Sequence, residues 1–247
     1  MEGMLKLYSP INELKQIGED IWIIDGNEIH MSFKLFKVPF TTRMTIVKID
    51  NNKLWIHSPI AFNKELNDKI KELGDIEHII APNKYHYSYV LDWYKHYPDA
   101  KVWLAKGVST KLKIDERENF VSLDNISKTS WSEEIYFTPF KGSIAMEEMV
   151  FFHKKSSTLI LTDLIESIEV NKLPLLYKLV FKFGDNKYPK FRTSRDLRSS
   201  FILKKQAKDS YSKIESWKPD KIVFSHGKII LENGTEKLKE AFYWLRK

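Results

Sequence analysis

The two halves of this chain open with the same pattern, a pair of strand-like runs joined by a polar turn. In the first half, residues 42–49 and 54–57 are rich in apolar and β-branched residues and flank the polar residues 50–53. In the second half, residues 149–153 and 158–162 flank another polar turn. Such runs predict β-hairpins. Two strand-rich halves with outer helices predict an α/β fold, a four-layer αββα sandwich in which two mixed β-sheets are flanked by helices.

Helical patterns alternate with strand patterns after the first hairpin. Apolar residues at helical spacing predict a helix over residues 63–73, and a second helix is predicted over 87–97. Short apolar runs at 76–81 and 101–105 predict the strands that lie before and after the second helix. This order of elements is typical of a sheet that contains parallel strands.

The last third of the chain carries two further helical patterns. Ala207, Tyr211 and Ile214 recur at helical spacing, and Ser194 is a candidate cap for the same helix. A terminal helix is predicted around residues 238–245. Both would be outer helices of the predicted sandwich.

The composition is that of a globular protein. With 247 residues, 43% of them hydrophobic, the chain can bury a full core, and since no low-complexity linker divides it we expect one domain over residues 1–247. The absence of cysteine excludes disulfides, thiolate metal sites and cysteine nucleophiles. The first residues lack a basic start followed by an apolar run, and no stretch approaches the roughly 18 apolar residues of a spanning helix. We expect a soluble, cytoplasmic protein.

Positive charge is concentrated in one segment. The net charge is +7, and residues 172–213 alone hold twelve Lys or Arg against three Asp. Aromatic residues are interleaved with these charges, so the segment could bind a nucleic-acid backbone or an anionic membrane surface. A solvated face whose aromatics pack inward is the favoured interpretation, because no nucleic-acid-binding motif accompanies the charges. The interleaved aromatics are Tyr177, Phe181, Phe183, Tyr188 and Phe191.

Two short apolar runs end in residues that bind metals or move protons. The run 158–162 leads into Asp163, and the run 221–225 leads into His226. In α/β folds the carboxyl ends of buried strands place catalytic groups, because there the rigid sheet gives way to a loop that can face a ligand. The sequence therefore predicts that this carboxylate and this imidazole meet in one cleft.

Several of these segments resemble the DUF4336 family, which has the metallo-β-lactamase fold. The resemblance rests on Pro-Asn-Lys-Tyr-His at 82–86, Glu-Met-Val-Phe-Phe-His at 148–153, Leu-Ile-Leu-Thr-Asp-Leu at 159–164 and Ser-His-Gly at 225–227. The first hairpin is also similar, and the likeness extends from about residue 15 to the C-terminus. The resemblance implies the metallo-β-lactamase-like form of the αββα sandwich.

The resemblance also implies a metal site, in reduced form. Proteins of this fold usually bind one or two metal ions through an H-x-H-x-D-H run, a later His, a bridging Asp and a final His. Asp163 matches the bridging Asp and His226 the final His, whereas the first motif retains only His86. The position of the later His, near residues 140–143, has none, although Glu148 lies a few residues on. At most one divalent ion, zinc, iron or manganese, is therefore expected on His86, Asp163 and His226.

Two functions remain open at this point. The first is a hydrolase in which Asp163 and Glu148 act in catalysis, Glu148 as a fourth ligand or general base, and Asn83 orients the substrate. Arg195 and Arg198 would then bind the anionic part of a small molecule. The second is a metal-free, non-catalytic protein of the same fold that binds ligands, or binds an anionic partner through residues 172–213.

Individual residues of the site also have structural interpretations. His86 could be a hydrogen-bonded structural histidine, and Asp163 could cap a loop. Of the other histidines, His57 ends a strand near the same edge, and His153 could cap its turn or contact Asp163. We expect ordinary surface or boundary positions for the remaining three, His30, His78 and His96. The carboxylates Glu147 and Glu148 are neighbours on a predicted strand, so they are expected to point to opposite faces.

Overall fold

The computed structural model describes residues 5–33, 36–114, 119–124, 126–174, 178 and 184–246. Thirteen strands lie in this part of the chain. They are β1 (Lys15–Gly18), β2 (Ile21–Asp25), β3 (Ile29–Phe33), β4 (Phe36–Phe40), β5 (Arg43–Ile49), β6 (Lys53–His57), β7 (Asp75–Ala81), β8 (Lys101–Leu104), β9 (Phe120–Ser122), β10 (Ile135–Phe140), β11 (Glu148–His153), β12 (Thr158–Ile160) and β13 (Lys221–Val223).

The strands form two mixed sheets and a separate hairpin. The first sheet has the order β1-β2-β5-β6-β7-β8-β9, antiparallel from β1 to β6 and parallel from β6 to β9. The second has the order β10-β11-β12-β13, in which only β12 and β13 are parallel. Strands β3 and β4 pair with each other and, within the described residues, with no other strand. Both hairpins predicted from the sequence are present, with the sheets mixed as expected.

Helices connect or cover these strands. They are α1 (Lys64–Lys71), α2 (Val90–His96), α3 (Val108–Leu112), α4 (Arg195–Ser199), α5 (Lys204–Glu215) and α6 (Gly234–Ala241), with 3₁₀ turns at Asp50–Asn52, Val170–Lys172 and Tyr243–Leu245.

The prediction for the first helix is confirmed, and its start has a clear cause. The side-chain oxygen of Asn63 accepts a hydrogen bond from the backbone N–H of Leu66 at 2.8 Å. This N–H lies in the first turn and has no backbone acceptor within the helix, so the side chain satisfies it. Leu66 and Ile70 are buried, one turn apart on the face that packs on the first sheet.

The helix predicted from Ala207, Tyr211 and Ile214 is confirmed as α5, but the prediction that Ser194 caps it is wrong, because the chain forms two helices there. Ser194 precedes the short helix α4 and makes no side-chain capping bond. Between α4 and α5 the chain extends, and Phe201 pairs with Ser143 in an antiparallel bridge while Leu203 donates to the carbonyl of Gly142. Phe201 is buried, so anchoring this ring in the core interrupts the helix.

Alternation along β11 explains the layered architecture. Met149 and Phe151 pack into the core that the second sheet shares with the first. Val150 and Phe152 point the other way, into the core formed with α5 and α6. The Phe151 ring lies 5.0 Å from the ring of Trp55 in β6, so the two sheets meet face to face. The result is an α/β sandwich with helices on its outer faces.

The basic segment is partly neutralised from within. The carboxylate of Asp185 forms ion pairs with Lys190 and Arg192 at 2.8 Å and with Arg198 at 3.0 Å. Phe191 is buried, in agreement with the favoured interpretation of the segment. Tyr177, Phe181 and Phe183 lie outside the described residues.

No helix in the described part of the chain is both long and apolar enough to cross a membrane.

Candidate active site

Three of the residues predicted for a site come together at one edge of the sandwich. His86 lies five residues beyond β7, and Asp163 and His226 each lie three residues beyond the ends of β12 and β13. One ligand atom from each of the three lies within 4.8 Å of the others. The backbone also joins the sheets here, since the N–H of Met149 donates to the carbonyl of Pro82 at 2.8 Å. The carboxyl ends of strands from both sheets therefore meet, as the sequence indicated.

Asp163 is the centre of this group. Its Oδ1 lies 3.1 Å from Nε2 of His86 and 3.1 Å from Nε2 of His226. Its Oδ2 accepts a hydrogen bond from Nδ2 of Asn83 at 2.7 Å. Burial alone would raise the pKa of Asp163, but the charges and hydrogen bonds of His86 and His226 outweigh it and hold that pKa well below its usual range. Asp163 is therefore an anion with one oxygen directed at two imidazoles.

The far side of each imidazole is also held. Nδ1 of His226 lies 2.9 Å from the carbonyl oxygen of Thr41, which can only accept, so Nδ1 carries a proton. In its neutral form His226 then presents a lone pair at Nε2 toward the carboxylate of Asp163. Nδ1 of His86 lies 2.8 Å from Oγ of Ser58. Fixing one ring nitrogen so that the other can bind an ion is the usual arrangement at metal-ligating histidines.

A lone pair and a carboxylate oxygen 3.1 Å apart require a cation or a proton between them. A divalent ion bound by the two Nε2 atoms and by Oδ1 satisfies all three groups. A second proton on His226 satisfies the pair without metal, as an imidazolium paired with Asp163. The donor set fits a single divalent ion.

Glu148 takes part through the backbone. It is completely buried, and its two oxygens accept hydrogen bonds from the backbone N–H groups of Thr162 at 2.6 Å and Asp163 at 2.9 Å. Burial and the charge of Asp163 raise the pKa of Glu148 above its ordinary value. Its oxygens are occupied by the loop that carries Asp163, and Glu148 is outside the group of three ligand atoms. Glu147 lies just before β11, and its side chain lies 3.9 Å from Lys106, so Glu147 and Glu148 have different surroundings.

Asn83 is the second support of Asp163. It is completely buried, and its side-chain oxygen accepts from the backbone N–H groups of Tyr85 at 2.8 Å and His86 at 3.1 Å. Its Nδ2 also lies 2.8 Å from Oγ1 of Thr162. Asn83 thus ties the loop of His86 to the loop of Asp163, and its polar atoms are committed to the protein.

A cleft of about 300 Å³ opens beside His86 and His226. Its walls provide two ammonium groups and several hydroxyls, and no Asp or Glu is among the described residues that line it. Arg195 and Arg198 do not line it: Arg195 is exposed on α4, and Arg198 donates to Asp185 and Tyr243. The described lining residues are Ile29, His30, Thr42, Ser58, Pro59, Lys84, Tyr85, His86, Tyr87, Ser88, Tyr89, Lys111 and His226.

Three of the other histidines have structural surroundings. His57 is buried and stacks on Trp55 with ring centres 5.5 Å apart, while Nδ1 of His153 contacts Oγ of Ser156 at 2.8 Å. His78 is only 2% exposed, so its prediction as a surface or boundary residue is wrong. It lies in β7, an inner strand of the first sheet, and accepts a hydrogen bond from the Trp103 indole.

Glu166 is a buried carboxyl that the sequence did not reveal. It is 8% exposed, and burial raises its pKa to about 7, with further influence from the nearby charges of His226 and Asp163. The side-chain amide of Asn186 donates to it. Its only signal in the sequence is its position three residues after Asp163, and the contact with Asn186 spans 20 residues that no pattern connects.

Glu166→Gln should stabilise the metal-free protein at high pH. The unfolded chain ionises Glu166 near pH 4.5, whereas the folded protein keeps it protonated up to about pH 7, so the penalty for folding grows between these values and persists above them. We expect the variant to gain up to about 3 kcal/mol at pH 8 and nothing below pH 4.5. Urea unfolding in the presence of chelator measures this, with the exposed Glu232→Gln as control. An equal change in unfolding free energy at pH 8 and below pH 4.5 would contradict the raised pKa of Glu166.

This chain resembles solved structures that are distant from it in sequence. A metallo-β-lactamase from Pontibacter korlensis is 10% identical, with a TM-score of 0.59 over 98% of this chain and 100% of that chain. One from Hirschia baltica is 13% identical, with a TM-score of 0.57 over 94% and 97%. One from Pseudomonas aeruginosa, solved in a mono-zinc form, is 10% identical, with a TM-score of 0.58 over 92% of each chain. At such identities the likeness establishes the fold alone. No match was found among curated proteins.

A family model described as a domain of unknown function, DUF4336, matches residues 19–201. The matched range includes Asn83, His86, Glu148 and Asp163, and it ends before His226. The sequence predicted a likeness that extends to the C-terminus. The family model supports it as far as residue 201. The match covers well over half of the chain, and the fold agrees with it. The chain belongs to the DUF4336 family and has the metallo-β-lactamase fold.

Proposed function

We propose that this protein is a metal-dependent hydrolase that holds one divalent ion on His86, Asp163 and His226. One observation supports this above the others. Two Nε2 atoms converge at 3.1 Å on one oxygen of an ionised carboxylate, and Thr41 and Ser58 contact the opposite nitrogen of each ring. Ring nitrogens held in this way leave Nε2 available for a ligand bond.

The donor set suits particular metals and a particular number of ions. Two imidazoles and one carboxylate are typical ligands of zinc, iron and manganese, and they leave further coordination positions open. Such an ion supplies Lewis-acid polarisation of a scissile group and acidifies water. The described residues provide one group of three ligand atoms, which supports a mononuclear site.

The residues around the ion have distinct tasks in this proposal. Asn83 holds Oδ2 of Asp163, so that Oδ1 stays directed at the imidazoles. Glu148 fixes the backbone that carries Asp163 by accepting from two successive N–H groups. Glu148 is thereby a positioning residue for Asp163, and its buried oxygens have no access to the cleft.

The substrate in this proposal is a small anionic molecule. Lys84 and Lys111 line the cleft, and together with its hydroxyl groups they offer donors to an anion. Tyr85 keeps its proton, because burial and the charges of Asp163 and Asp196 raise its pKa, so it is a further donor. These groups take the part that the sequence suggested for Arg195 and Arg198.

Replacing the cleft lysines should separate charged from neutral substrates. For Lys84→Ala and Lys111→Ala we expect KM to rise about 5–10-fold for a 4-nitrophenyl ester that carries a carboxylate, since one charge-assisted contact is lost. KM for neutral 4-nitrophenyl acetate should stay within about twofold of wild type on the same reasoning. Lys113→Ala, exposed and outside the cleft lining, is the matched control. Equal changes for both esters would end the anionic-substrate proposal.

The alternative function is a metal-free ligand-binding protein. The same 3.1 Å contacts allow a direct hydrogen-bonded cluster in which His226 is an imidazolium paired with Asp163. The cleft would then bind an anion without chemistry. Ligand binding that is unchanged by chelation, together with no hydrolysis under any metal, would favour this alternative.

The hydrolase proposal is tested by reloading stripped protein. Chelator-treated protein receives one equivalent of zinc, iron or manganese and is assayed on carboxylic and phosphoric esters. We expect turnover to return with stoichiometric metal in wild type and in His96→Ala, which changes an exposed histidine outside both the cleft lining and the group of three. It should be absent in His86→Ala/His226→Ala. Full turnover in the double variant, or in stripped protein, would contradict the proposal.

A further inference from the structure

We infer that Arg43 is a positioning residue that fixes His226 for metal binding. Arg43 lies at the start of β5, in the first sheet, whereas His226 follows β13 in the second. Its Nη1 donates to the carbonyl oxygens of Phe224 at 2.6 Å and Gly227 at 3.0 Å. These carbonyls belong to residues on either side of His226, so one guanidinium holds both ends of the loop that presents the imidazole.

The guanidinium is itself fixed by a buried ion pair. The carboxylate of Asp25 in β2 accepts a hydrogen bond from Nε of Arg43 at 2.9 Å and lies 2.7 Å from Nη2 of the same guanidinium. The Arg43 and Asp25 residues are only 4% and 3% exposed. Lys15 adds a second cation at 2.8 Å from Asp25 and is partly exposed. A buried planar fork with all its partners in place has little freedom to move.

The imidazole is held from the same segment of chain. Thr41, two residues before Arg43, accepts the Nδ1 proton of His226 at 2.9 Å. Residues 41–43 therefore determine both the backbone position and the ring orientation of His226. The loop also approaches the backbone of Ser167 closely, because Gly227 has a positive φ and a Cβ there would lie 2.1 Å from the carbonyl oxygen of Ser167.

The consequence is a link between sheet packing and the candidate site. His86 is supported by Ser58 of the first sheet's edge, and Asp163 by Glu148 of the second sheet. His226 depends on a contact between the two, which Arg43 makes. If this contact loosens, the Nε2 atom of His226 no longer stays at a fixed distance from Asp163, and metal affinity falls. This step rests on the proposed metal site.

The test compares Arg43→Lys with Lys15→Met in chelator-stripped protein. A lysine ammonium places its donors on one atom and cannot reproduce the fork in which Nε and Nη2 face Asp25 while Nη1 faces the two carbonyls. Lys15→Met instead removes the outer partner of Asp25 and a donor to the carbonyl oxygen of Tyr8, and it leaves every contact of Arg43 with the loop in place. We expect zinc to bind about 10–100-fold more weakly to Arg43→Lys, as for other residues that orient metal ligands. Lys15→Met should bind zinc like wild type. A competing fluorescent chelator gives the dissociation constants, and far-ultraviolet circular dichroism verifies the fold.

A second readout needs no metal. The amides of Ser225 and Lys228 donate to Thr162 at 3.2 Å and Ser167 at 3.1 Å, and their hydrogen exchange reports the order of the loop. Exchange at both should be faster in Arg43→Lys and unchanged in Lys15→Met. Thermal destabilisation with unaltered zinc affinity and unaltered exchange would reduce Arg43 to a structural residue and overturn the inference.

Two outcomes keep the inference apart from the proposed function. If wild type binds no zinc, the metal site fails, while hydrogen exchange still decides whether Arg43 orders the loop. If wild type binds zinc and Arg43→Lys does so equally well, the inference fails alone. Should Arg43→Lys not fold, Asp25→Asn replaces it. That variant keeps an acceptor for Arg43 without the charge, and unchanged affinity and exchange there would also overturn the inference.

Discussion

Asp163→Asn is expected to weaken zinc binding by more than about 100-fold, beyond the 10–100-fold that changes in supporting residues cost. The reason is that Asp163 supplies the only carboxylate in the group of three ligand atoms, with its Oδ1 at 3.1 Å from both imidazoles. An amide oxygen is neutral and does not offset the charge of a divalent ion. Hydrolysis should be lost with the metal, and the fold should remain.

The matched control for this variant is Asp196→Asn. Asp196 is an exposed carboxylate on α4 whose charge reaches the cleft residue Tyr85, so the control removes the same charge near the site without removing a ligand. Isothermal titration of chelator-stripped protein with zinc measures both. Zinc affinity of Asp163→Asn within a few fold of the control would remove Asp163 from the metal site.

Arg43→Met is expected to cost about 3–5 kcal/mol of unfolding free energy, the range for breaking a buried ion pair by removing one partner. Asp25 would keep only Lys15, and the carbonyls of Phe224 and Gly227 would lose their shared donor. Urea unfolding of the chelator-treated protein gives the change in stability.

A double variant shows whether the loss of unfolding free energy in Arg43→Met comes from the unpaired charge of Asp25. In Arg43→Met/Asp25→Leu no buried carboxylate is left without a partner, so a good part of the lost stability should return. A double variant as unstable as the sum of its single variants would mean that packing, and not the unpaired charge, sets the cost.

The strands and the central residues of the site were predictable because they depend on local patterns. Period-two and apolar runs define both hairpins, and Asp163 and His226 follow strands whose carboxyl ends must share an edge in this type of fold. His86 also follows a strand end, although it lies five residues beyond β7 and the other two lie three residues beyond their strands. What these residues bind stays a proposal, since neither periodicity nor position distinguishes an ion from a proton.

The supports of the site depend on contacts that no local pattern encodes. Arg43 reaches carbonyls 181 and 184 residues away in the chain, and the only local feature of Arg43 is its place at the start of a strand. Glu148 was singled out because it lies a few residues after the position of the missing His, but its hydrogen bonds to the loop of Asp163 form only when two strands of the second sheet pair.

Charge patterns along the chain were a poor guide to the cleft. Arg198 lies in the most basic segment, yet Asp185, 13 residues before it, accepts its guanidinium. Lys84 and Lys111 lie in stretches of ordinary charge and line the cleft because the loop after β7 and the helix α3 after β8 face the same edge. The position of a charged residue after a strand end therefore indicates ligand binding better than its membership in a basic segment does.

The most direct test of the account is the metal content of tag-free protein by elemental mass spectrometry, after incubation with zinc, iron or manganese and removal of excess metal. The account predicts about one equivalent in wild type and in His30→Ala, and none in His86→Ala/His226→Ala, in keeping with a single three-ligand site. Wild-type protein that retains no ion from any of these solutions, or a double variant that retains as much as wild type, would contradict it.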